Sequence, residues 1–123
     1  MLYAILCYND EKAVGAWTKE EDDACMARLA KVEAGMKAKG KLGPVARLLP
    51  TTAATTLRKS SGEPMIIDGP FAETKEQFLG FYLADCETRE EAIAFAKDLA
   101  AANPGGGGYE IRPVGLFHPS EIG

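Results

Sequence analysis

The stretch Phe78-Leu79-Gly80-Phe81-Tyr82-Leu83-Ala84-Asp85-Cys86-Glu87-Thr88-Arg89-Glu90-Glu91 decides the fold. From Phe78 to Cys86 apolar side chains fall on both parities, so a strand here buries both faces and runs through the middle of a sheet. Thr88-Arg89-Glu90-Glu91 then reads as a capping box. The threonine hydroxyl accepts an N–H of the first helical turn, and the glutamate three residues on reaches back to the cap. Ala92, Phe95, Ala96 and Leu99 follow as one apolar stripe at helical spacing, stopped by Asn103-Pro104. The run Gly105 to Gly108 connects this helix to a closing strand over 109–117.

Working outward, the first half repeats the same grammar. Residues 2–8, Leu-Tyr-Ala-Ile-Leu-Cys-Tyr, form another strand that is apolar on both sides. A turn at Asn9-Asp10 and a connection through Trp17 lead to a second capping box, Thr18-Lys19-Glu20-Glu21. Cys25, Leu29, Val32 and Met36 make the stripe of a helix over about 19–39, and Gly40 supplies its left-handed stop. A strand over 45–49 ends this half. Between the halves, 55–58 and 65–68 flank a Ser61-Gly62-Glu63-Pro64 turn as a hairpin.

Two strand-helix-strand units in one short chain predict an α+β fold. The expected architecture is a ferredoxin-like βαββαβ sandwich with an inserted β-hairpin, occupying residues 1–123 as a single domain. Both helices then lie on one face of an antiparallel sheet, yet the strands are apolar on the other face too. A second copy is the simplest cover. The expectation is a homodimer with two sheets face to face, a dimeric α+β barrel, and a small-molecule ligand in the cleft between them.

Bulk composition narrows the function classes. Of 123 residues, 46% are hydrophobic and 26% charged, which is ordinary globular usage. A formal charge of -4 and a pI near 5.0 disfavour direct nucleic-acid binding, which needs clustered cations. Lys37, Lys39 and Lys41 fall at a helix end, where they complement the dipole. No apolar run spans a membrane, and the opening strand has no signal-peptide flanks, so no membrane association is expected and the cytoplasm is the expected compartment. Cys7, Cys25 and Cys86 lack a C-x-x-C spacing and read as reduced, packed thiols; no metal or cofactor is implied.

Asp68-Gly69-Pro70-Phe71-Ala72-Glu73-Thr74-Lys75-Glu76 is the most informative motif. Structurally it is a rigid corner, with the Asp68 carboxylate accepting a backbone N–H two residues on and Phe71 held in the core. Functionally it presents Asp68 as a candidate catalytic base at the cleft mouth, with Phe71, Glu73 and Lys75 as ligand contacts. Tyr8, Tyr82 and Arg112 lie on sheet strands and are the remaining ligand-binding candidates. Tyrosines there more often pack with a satisfied hydroxyl, and a buried Arg112 would demand an anion. Gly105 to Gly108 lacks the Lys-Ser/Thr ending of a phosphate loop. His118 is the single histidine, so no catalytic triad can be assembled.

Asp68 to Glu76, followed by Gln77-Phe78 and Gly80-Phe81-Tyr82, resembles the signature of the DGPF proteins, relatives of the YCII family. The likeness extends from the opening strand through Thr55-Thr56-Leu57-Arg58 to Glu110-Ile111-Arg112-Pro113. It implies the same dimeric α+β barrel. Some YCII-like proteins resemble lyases or dehydrochlorinases that pair a helix histidine with a loop aspartate for proton transfer. Here Cys25 and Met26 stand where that histidine belongs, so the resemblance carries over Asp68 alone. It also suggests an alternative, a non-catalytic accessory or regulatory protein linked to an extracytoplasmic-function sigma factor.

Overall fold

Two threonines start the long helices. In a computed structural model that describes residues 1–120, Thr18 caps α2 (Lys19–Ala38) with both halves of its capping box closed, and Thr88 caps α3 (Arg89–Ala102). Gly40, at φ 70°, takes the left-handed conformation that ends α2. A further short helix, α1 (Glu11–Gly15), lies between the first strand and α2, capped by the Asp10 carboxylate on the Lys12 N–H at 2.9 Å. The sequence reading had only a connection there.

The strands are β1 (Leu2–Asn9), β2 (Leu42–Arg47), β3 (Thr55–Arg58), β4 (Met65–Asp68), β5 (Gln77–Asp85) and β6 (Gly108–Pro113). Four of them form an antiparallel sheet in the order β2-β5-β1-β6, so β1 and β5 are central, as their two-sided apolar patterning requires. This is the ferredoxin-like order. The hairpin β3-β4 pairs by itself, Thr55 opposite Asp68 and Arg58 opposite Met65, with the predicted boundaries. Two strand limits move. The edge strand β2 begins at Leu42 and contains Pro44, which is tolerated because it falls where the pairing with β5 shifts register, between Leu42 and Val45. At the other edge, β6 stops at Pro113 instead of running to 117.

The core lies between sheet and helices. Tyr3 and Ile5 of β1 and Tyr82 and Ala84 of β5 pack against Cys25, Leu29 and Met36 of α2 and Ala92, Phe95, Ala96 and Leu99 of α3. Ile5, Ala84, Ala92 and Leu99 are wholly buried. The edge of Tyr82 meets the ring of Phe95, with centroids 5.8 Å apart at 80°. Gly80 permits close strand approach: a Cβ there would sit 2.3 Å from the carbonyl oxygen of Ala46. Lys41 forms an ion pair with Glu91 that ties the start of β2 to α3.

Leu2, Ala4 and Leu6, alternating with the buried residues of β1, and Phe81 and Leu83 of β5 occupy the opposite sheet face, where no helix lies and each is half-buried. The hairpin is more open still. Leu57, Met65, Ile66 and Ile67 are all exposed.

Candidate functional site

One turn of α2 after another points Asp22, Cys25, Met26, Leu29 and Glu33 toward the sheet edge formed by β2 and β5. Val45 and Arg47 of β2 and Leu79, Gly80 and Tyr82 of β5 form the facing wall. Val14 and Trp17, from α1 and its exit, close one side; Cys7, Asn103 and Tyr109 close another. Together they enclose a cavity of about 120 Å³. An apolar cavity of about 150 Å³ is known to hold a benzene ring, so this space suits a single small ring.

Its polar groups fall into three sets. At one end, Arg47 Nη2 donates to Asp22 Oδ1 at 3.3 Å and Nη1 to the Met26 sulfur at 3.6 Å. At the floor, Asn103 links two neighbours: its Nδ2 donates to the Tyr109 hydroxyl at 3.3 Å, and its Oδ1 accepts the Cys25 thiol at 3.5 Å. That assignment fixes the amide orientation. In the wall, the Tyr82 ring is largely buried, and its hydroxyl bonds no side chain or backbone group among the described residues but is not sealed from solvent. Burial pushes the Tyr82 phenol well above its ordinary pKa, assisted by Cys7 and the Glu33 carboxylate. Burial likewise raises Tyr109, and pushes the Cys7 thiol up to about 12. All three stay protonated near neutrality, so the cavity offers neutral donors and no thiolate or phenolate nucleophile from these residues. No three His, Cys, Asp or Glu side chains among the described residues are grouped as a metal site needs.

A second depression of about 310 Å³ adjoins the first, sharing Cys7, Leu79, Asn103 and Tyr109 and bordered by Tyr8, Lys97 and the Gly105–Gly108 loop.

Of the residues singled out from sequence, Tyr82 alone lines the first cavity. Tyr8 stacks at a tilt on Phe78, 5.5 Å between centroids, and its hydroxyl donates to Glu110 at 3.5 Å. Arg112, opposite Ala4 on β6, is exposed, so it needs no buried counter-ion. Asp68, Phe71, Glu73 and Lys75 belong to the projecting hairpin and the segment after it; all are exposed and none borders either cavity. Two details of the corner are corrected. Residue 70 is proline and has no N–H for the Asp68 carboxylate to accept; the turn is closed instead by Gly69 N to Ala54 O at 2.8 Å and the Thr56 hydroxyl to Gly69 O at 2.7 Å. Phe71 is not core within one chain: it is 67% exposed, with the Arg58 guanidinium 4.5 Å above its ring.

The model of the YCII-related domain matches residues 1–118. The chain belongs to the YCII-related family. Within it, an uncharacterised protein of Rhizobium meliloti (strain 1021) is 60% identical over 122 residues, 99% of this chain and 98% of that protein. In this YCII-related chain Cys25 and Met26 both line the cavity. Asp22, Arg47, Trp17, Glu33, Asn103 and Tyr109 were not singled out from sequence. Of these, Trp17 entered the sequence reading only as part of a connection and Asn103 only as a helix stop.

Proposed function

We propose that this YCII-related protein binds a small, single-ring molecule in the cavity between α2 and the β2-β5 edge, as a homodimer paired through the open sheet face. What carries the reading is an apolar space of ring size, walled by Trp17, Leu29, Val45 and Tyr82, with the Arg47 guanidinium at one end and the Tyr82 phenol held neutral in its wall. The Tyr82 hydroxyl is not sealed from solvent, so a ligand acceptor there would take the place of water. The half-buried Leu2, Ala4, Leu6, Phe81 and Leu83, with no helix above them, support the dimer. No helix among the described residues is long and apolar enough to cross a membrane, and three free thiols suit a reducing compartment such as the cytoplasm. A proton-transfer reaction with Asp68 as base finds no support in contacts of Asp68 within one chain, so binding is the function put forward.

Trp17, the single tryptophan, borders the cavity and reports on it. In a titration with a panel of neutral and anionic single-ring compounds, a saturable change in Trp17 emission and a raised melting temperature are expected for some members. Leu29→Phe, which fills the cavity, should abolish both responses while the far-UV circular dichroism is kept. No response from any member of the panel would refute the reading.

A further inference from the structure

The ion pair at the cavity mouth identifies the ligand class, on the premise that the cavity is a binding site. We infer that the ligand is a single-ring carboxylic acid in its ionised form, whose carboxylate takes the Arg47 guanidinium from Asp22.

Arg47 is under-used where it stands. A guanidinium has five N–H donors in a planar fork that matches a carboxylate in bidentate fashion. Here one donor goes to a single Asp22 oxygen at 3.3 Å, longer than a charge-assisted bond should be, and another to a thioether sulfur, a weak acceptor. The Arg47 side chain is 55% exposed and that of Asp22 35%. A pair so wet contributes little to stability, so its replacement by a better-aligned ligand carboxylate loses little. Exposure also gives the entering anion a path from solvent, while the ring moves inward among Trp17, Leu29, Val45 and Leu79.

The other carboxylate of the cavity does not oppose this placement. Glu33 lies eleven positions beyond Asp22 on the same helix, about 16 Å along its axis at 1.5 Å per residue. The anionic head therefore sits at the Arg47 end, and Glu33 is three turns away. Arg47 and Tyr82 share a sheet face, since Arg47 pairs with Gly80 and Val45 with Tyr82, which makes them diagonal neighbours. A ligand anchored on Arg47 thus lays its ring toward the Tyr82 hydroxyl, where an acceptor substituent would replace solvent as its partner.

Benzoate and benzamide, alike in shape and different in charge, test the class by Trp17 emission. At low salt and pH 7 benzoate should bind the wild-type protein at least about tenfold more tightly, the usual scale for a hydrogen bond to a charged group. In Arg47→Ala the two probes should bind alike; in Asp22→Asn, where the competing carboxylate is gone, benzoate should bind several-fold more tightly than in wild type. Benzamide binding with no benzoate preference, or a preference unchanged in Arg47→Ala, would overturn the carboxylate inference and leave the cavity standing as a neutral-ligand site. Should neither probe bind, the inference and the binding reading beneath it fall together.

Discussion

The four-stranded sheet and the β3-β4 hairpin are built from similar apolar residues and put them to opposite use. In the sheet, alternation places Tyr3, Ile5, Tyr82 and Ala84 under two helices. In the hairpin, Leu57, Met65, Ile66 and Ile67 find nothing to pack on within the chain and are exposed on both faces. A two-stranded ribbon this short does not stabilise itself in water. The contrast teaches that the sheet and helices hold the fold, whereas the apolar side chains of the hairpin add little to the core of the chain.

The largest test of that contrast is truncation on each side of it. Leu99→Ala, in the wholly buried center of α3, should cost about 2–5 kcal/mol by urea denaturation, while Ile66→Ala, 74% exposed, should stay within about 0.5 kcal/mol at dilutions that favour the monomer. An equal loss at both positions would erase the distinction. Next in size, Gly80→Ala forces a methyl against the Ala46 carbonyl; a loss of about 1–3 kcal/mol is expected, and a smaller one would mean that β2 can slide away from β5. Removing the α2 cap with Thr18→Ala should cost about 1 kcal/mol, measurable in the same assay.

On the hairpin side, Asp68→Asn alters an exposed group with no hydrogen bond among the described residues, so a change within about 0.5 kcal/mol is expected in melts. The smallest effect is electrostatic. Its hydrogen bond to Lys41 holds Glu91 below the ordinary glutamate range, and the same bond holds Lys41 above the ordinary lysine range. Because the folded pKa of Glu91 is depressed, its contribution is present above the unfolded-state value and disappears as pH falls through the folded one; the Lys41 contribution disappears only as pH rises through its elevated value. Acid titration of stability should show this step in the wild type and not in Glu91→Gln.

Much of the fold was legible because local chemistry and global placement agree. The capping box of α2, the Thr88 cap of α3, the two-sided patterning of β1 and β5 and the turn between β3 and β4 each depend on a few adjacent residues and appear where the sequence put them; only the return bond of the second box differs, Glu91 accepting from Glu87 N instead of the cap. The short α1 escaped notice because five residues give no helical period, and β2 was displaced because Pro44 reads as a break until the strand is known to be an edge. The cavity was harder for a different reason. Its walls come from α1, α2, β2, β5 and the end of α3, and residues such as Asp22, Glu33 and Arg47 read in sequence as ordinary solvated charges. Only the packing of α2 over the β2-β5 edge brings them together. Tyr82 was legible as a strand phenol, but that it lacks a partner is a fact of three dimensions.

Pro44 has one more effect. Lying in an outer strand where the β2–β5 register shifts between Leu42 and Val45, it breaks the regular backbone that another chain's strand would have to join, so lengthening of the sheet by lateral addition is disfavoured at that border. The apolar surface left on the flat of the sheet is then steered toward stacking, and stacking of two identical faces is self-limiting: once joined, they leave no equivalent face for a third. On the pairing proposed above, the chain should halt at a closed pair and remain dispersed when concentrated, where an unguarded border would invite fibrous growth.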